Sequence, residues 1–217
     1  MFRDAALIAG KDLRIELRSK VTLQQVAPFA VLMLILFGVA LDPDRGVLTR
    51  ASSGLFWVAV LFCALLAIQR AFTIEAADGG RDALRLSGLD PAGIFLGKAA
   101  AIGVQLLVLE VVLATGVVVM YGTEVTGWPL LLATCGAATA GLAAAGTLYG
   151  VLAAGLRVRE TLLPILLLPV LSPVLIAATK AFEAALGGAA ADGWPWCGLL
   201  VVFALLYLAF GPLLEES

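Results

Sequence analysis

The 217-residue chain contains no histidine. That absence removes the commonest general base, the commonest metal ligand and the usual axial ligand of haem iron. Charge is scarce too: 14% of residues are Asp, Glu, Lys or Arg, where a soluble domain carries about 25%. The net charge of −2 offers no basic excess, so nucleic acid is not indicated as a partner. Cys63, Cys135 and Cys197 all lie in apolar segments without CxxC spacing. They read as small buried hydrophobes rather than a disulfide framework. There is no GxxxxGK[ST] run, so the chain has no nucleotide site of its own. Neither an internal repeat nor the alternating strands of a β-barrel can be found.

What is present is apolar residues in long blocks: 62% of the chain is hydrophobic and its mean hydropathy is +1.05. A spanning helix needs about 17–25 largely apolar residues, and six segments qualify, at about 21–41, 51–69, 97–121, 130–153, 161–179 and 195–214. The expected fold is therefore an all-α integral membrane protein of six transmembrane helices in one domain. The first apolar run is long enough to span and stay, unlike the short core of a cleavable signal. Residues 2–20 precede it and carry Phe2, Ala6, Ala9, Leu13 and Leu17 on one helical face, with Lys11, Arg14 and Arg18 largely away from it. This predicts an amphipathic interfacial helix.

Eleven of the 14 Lys and Arg residues fall in the N-terminal segment, the second loop and the fourth loop. Only Arg45, Arg50 and Lys180 lie on the other side. The positive-inside rule then places both termini and the long loop 70–96 in the cytoplasm. Trp57, Trp128, Trp194 and Trp196 fall at expected outer ends of helices, as in an aromatic belt. The outer segment 180–192 is rich in Ala and Gly and has the composition of a short re-entrant or surface helix.

Few residues here can carry chemistry. The loop from Glu75 to Pro91 sets Leu84, Leu86 and Leu89 among charges, which suits docking into a partner's groove or packing on its own helix ends. Glu110 is the one acid inside an expected span; a charge there costs about 2.5–3.5 kcal/mol on insertion scales. It reads either as a functional carboxyl or as a satisfied acid joining helices. Gln105 lies off its face. Pro164, Pro169 and Pro173 mark the fifth span as a hinge or as a static kink. Gly136, Gly141, Gly146 and Gly150 allow close helix approach, in packing or in a dimer seam. One isolated carboxylate makes no catalytic constellation, so an enzyme is not expected.

Four features occur in order: the Lys11–Lys20 helix; the Glu75…Asp78-Gly79…Asp82…Leu84…Leu86-Ser87 loop leading through Ile94-Phe95-Leu96-Gly97-Lys98; the third span with Glu110; and the proline-marked fifth span. Together they resemble the CcmB family, the haem exporter protein B of cytochrome c maturation. The resemblance implies an ABC-2 (type V exporter-like) permease of the cell inner membrane. It implies that a CcmA-like ATPase grips the second loop, and that role is carried onto Glu75, Asp78, Gly79, Arg81, Asp82, Leu84, Arg85, Leu86 and Ser87. It also implies a CcmC-like haem-handling protein, a CcmD-like small helical protein and paired permease copies. ATP would be hydrolysed by the partner, and haem would be cargo rather than a cofactor bound directly. Without histidine, a role in releasing haem or its chaperone from a partner is favoured over coordination of the iron. A non-transporting membrane scaffold and an ABC-2 permease for another substrate are the alternatives.

Overall fold

A computed structural model describes residues 1–19, 24, 26–41, 45–77, 88–123, 125–153 and 159–215. These residues form seven helices and no strand. Helix α1 is Phe2–Ser19, α2 Ala27–Leu41, α3 Arg45–Ala77, α4 Pro91–Tyr121, α5 Trp128–Ala153, α6 Arg159–Leu186 and α7 Ala190–Glu215. Five of them, α3 to α7, contain stretches long and apolar enough to cross a membrane. The 15 residues of α2 are almost entirely apolar but rise only about 22 Å, short of a hydrocarbon core of about 30 Å.

Local chemistry sets several helix ends. Asp90 caps α4: its side chain accepts from the Ala92 amide at 3.1 Å, and Pro91 occupies the first turn where a missing N–H is harmless. Gly122, at φ 64°, ends the same helix in the left-handed region that glycine enters without strain. Between α6 and α7 there is only a three-residue turn, with Gly188 at φ 77°. The surface helix expected over 180–192 is therefore replaced by the end of α6. Alanine favours helix, and Lys180 pairs with Glu183 at 3.0 Å, one turn on, so charge does not stop the helix there.

Helix α5 is the centre of the bundle, with Gly141–Leu148 continuously buried. Its glycines serve contacts within the chain. A β-carbon on Gly146 would strike Ile68, and one on Gly150 would strike the ring of Phe72, both on α3; one on Gly141 would meet Phe203 of α7 at 3.0 Å. The GxxxG at 146–150 is thus a seam between α5 and α3. Tyr121 ties α2 to α4 through a 2.9 Å hydrogen bond to the Leu34 carbonyl. The outer surface is apolar as well: Val111, Val119, Leu132, Ile176 and Leu205 are all exposed, as suits helices facing lipid rather than water.

One expectation about faces changes. Trp128, Trp194 and Trp196 are exposed, but Trp57 is 1% exposed, packed against Phe56 and Phe182. It is a core residue, not a belt anchor. On α1, the two ends of the stripe expected to lie on the leaflet point away from the bundle. Phe2 and Leu17 are 79% and 73% exposed, whereas Ile8 is buried.

Candidate functional site

Glu110 lies in the middle of α4 and is 3% exposed. The Thr139 hydroxyl of α5 donates a hydrogen bond to its Oε1. Cys135, one turn earlier on α5, brings its thiol to the same carboxyl. Glu110 Oε2 has no hydrogen-bond partner among the described residues. A groove of about 580 Å³ opens beside it, walled by Leu107, Val111 and Val118 of α4 and by Trp128, Leu132 and Cys135 of α5. A cavity of that size with apolar walls and few polar groups has the character of a small-molecule site. Gln105 belongs elsewhere, in a crevice with Asp12, Glu16 and Arg70.

That crevice lies under α1, where α3 finishes and α4 begins. Gly93 and Gly97 on α4 form a second GxxxG pair, and α1 crosses directly over it. A β-carbon on Gly97 would come within 2.6 Å of the Ala5 carbonyl oxygen and 2.7 Å of Ile8 Cβ. Close approach brings the acidic side of α1 onto one buried and one half-buried base. Asp12 Oδ2 is 3.7 Å from Nζ of Lys98, a residue 3% exposed whose ammonium also sits 5.1 Å over the Phe72 ring. Glu16 Oε2 is 3.4 Å from Arg70 Nε, and Arg70 Nη2 donates to Ser19 Oγ at 3.2 Å. The Met1 amine pairs with Asp90 at 3.1 Å and Asp4 at 3.3 Å. Asp90 first, then Asp4, holds the amine's pKa above its ordinary value.

At the opposite end of the bundle, the chain entering α5 is fastened to α6. The amides of Thr126 and Gly127 and the Thr126 hydroxyl all donate to the Ala185 carbonyl, at 3.3, 2.9 and 3.0 Å. These donors satisfy a carbonyl left over at the last turn of α6.

The residues singled out in the sequence divide clearly. Asp78, Gly79, Arg81, Asp82, Leu84, Arg85, Leu86 and Ser87 lie outside the described residues, and so does the side chain of Glu75, whose backbone is in the last turn of α3. Glu110 is brought to Thr139, Cys135 and the groove. Pro164, Pro169 and Pro173 lie inside one continuous helix, α6. No group of metal-binding side chains occurs among the described residues. Gly93 and Thr139 had no expected role; Gly97 stood out only as part of the run leading into the third span, and Lys98 as part of that run and as one of the basic residues counted for orientation. The spacing of the two glycines was a usable signal; nothing local marks Thr139 as the partner of an acid 29 residues away.

Comparison with known proteins bears on the family of the chain. The family model described as CcmB protein matches residues 3–215. Heme exporter protein B of Haemophilus influenzae is 31% identical over 182 residues, covering 82% of this chain and 80% of the relative. That of Escherichia coli K12 is 32% identical over 200 residues, covering 90% and 87%. That of Pseudomonas aeruginosa is 29% identical over 210 residues, covering 94% and 92%. With a family match that runs almost from end to end, this membrane protein belongs to the CcmB family.

Proposed function

We propose that this chain is the membrane permease subunit of an ABC-type haem exporter serving cytochrome c maturation. The observation that carries the reading is the match to the CcmB family over residues 3–215. In this reading the first span uses residues 21–41, giving six crossings, with both termini on the cytoplasmic side of the inner membrane. A separate CcmA-like ATPase hydrolyses ATP and grips the loop between α3 and α4. CcmC-like and CcmD-like proteins complete the complex, with two permease copies. The ATP-driven motion releases haem, or the chaperone that carries it, to the outer side. The direct test is complementation. In cells lacking their own CcmB-family protein, this chain should restore covalently haem-stained c-type cytochromes, provided its cognate partners are supplied. Absence of staining with all subunits in the membrane would overturn the reading.

The loop assignment has its own test. Reversing charge at Asp82 and Arg85 together should reduce co-purification of the ATPase severalfold and lower cytochrome c yield with it. Unchanged association and unchanged yield would remove the loop from the interface.

Glu110 is read as the polar group of the intramembrane groove. Glu110→Gln keeps the volume and an acceptor for Thr139, so stability should shift by no more than about 1 kcal/mol. Cytochrome c yield should nevertheless fall severalfold, because the ionisable oxygen that faces no partner is gone. Normal yield in both Glu110→Gln and Glu110→Ala would leave Glu110 as a packing residue.

A further inference from the structure

The charges of α1 are nearly balanced in sequence, but the fold sorts them. Its three acids turn inward: Asp4 to the Met1 amine, Asp12 to Lys98 and Glu16 to Arg70. Lys11 shares Asp12 at 2.9 Å. What remains facing outward is Arg3, Arg14 and Arg18, all exposed and without an acidic partner among the described residues. Beside them stand the exposed side chains of Phe2, Leu7 and Leu17. One side of the helix therefore offers cations and large apolar groups together, with every acid consumed on the other side.

The geometry points to the outer face of α1 as a binding surface for anionic phospholipid headgroups, selective for them over zwitterionic ones. Three observations carry this. The face lies over the neighbouring ends of the apolar helices α3 and α4, where those helices carry their charged residues Arg70 and Lys98. Its arginines offer forked donors that match phosphate oxygens, and its apolar residues reach the acyl boundary. The inward ion pairs hold the acids away from the headgroups they would repel. The selectivity is independent of what the complex carries. It comes from tertiary structure: a free α1 peptide would present its acids as well.

The test uses the full chain in lipid nanodiscs. A Leu17→Cys substitution takes an environment-sensitive fluorophore, since Cys63, Cys135 and Cys197 are buried. Emission should shift to the blue when phosphatidylglycerol is mixed into phosphatidylcholine, and added salt should reverse the shift. Substituting Arg3, Arg14 and Arg18 by Gln should weaken the response by roughly fivefold per cation. Lysine at the same three positions should largely keep it, which separates charge from damage to the fold. Equal emission in both lipids, a response that survives the three glutamines, or a shift that comes only with the ATPase subunit would overturn the assignment. The last result would make the face a protein-docking surface.

Discussion

Gly97→Leu should detach α1 from the bundle. A β-carbon there already meets the Ala5 carbonyl oxygen at 2.6 Å, and backbone cannot turn aside as a side chain can. The remaining atoms of leucine need the space that α1 occupies. Lifting α1 separates Asp12 from Lys98 and Glu16 from Arg70, so a steric change of about 1–3 kcal/mol is compounded by the loss of two ion pairs. The purified variant should melt well below the parent, and trypsin should cut at Arg14 and Arg18 without unfolding the spans. Cytochrome c yield should fall with it. Gly97→Ala should move every readout in the same direction by less, whereas Leu17→Ala, on the outward face, should leave protease resistance intact. Equal protection in parent and Gly97→Leu would mean that α1 is not seated on this glycine.

Gly150→Leu should be comparably damaging for a different reason. Its β-carbon falls on the ring of Phe72, a residue 4% exposed that packs both against α5 and beneath the Lys98 ammonium. The ring has to leave, opening the α3–α5 seam and removing the cation–π contact at once. Thermal unfolding in detergent should show a loss of about 3 kcal/mol, the upper end of ordinary overpacking. Gly136→Ala is the control on the same helix. A β-carbon at Gly136 meets nothing within 4 Å, so the change should be neutral to within about 0.5 kcal/mol or slightly stabilising. Equal losses at positions 136 and 150 would point to a general need for glycine in α5 rather than to this seam.

Much of the architecture was legible because membrane burial acts on whole segments. Uncharged blocks foretold α3 to α7, and Trp128–Ala153 agrees closely with the expected 130–153. Faces were harder to read, since a helix in lipid is apolar on both its protein side and its outer side. Trp57 has the sequence position of a belt residue but the contacts of a core residue. The stripe from Phe2 to Leu17 was visible, but the opposite side of α1, with Ile8, Asp12 and Glu16, gave no sign that it packs on the bundle. The partners that turn Asp12 and Glu16 inward, Lys98 and Arg70, lie in distant segments. For the same reason Glu110 stood out as an acid in a span, but the Thr139 contact and the groove needed three dimensions. The residues from Asp78 to Ser87 stood out by charge and by resemblance, and they rest on those grounds.

The three donors gathered on the Ala185 carbonyl bear on how such a bundle can move. Together with the three-residue turn after Leu186, they lace α5, α6 and α7 into one knot at one end of the molecule. Helices joined at a knot separate as the blades of a pair of tongs do, least at the rivet and most at the free tips. Those tips lie at the end where α3 runs out and α4 begins, beside the clasp that α1 makes. Any opening of α5, α6 and α7 against one another would then be smallest near Ala185 and largest at those tips.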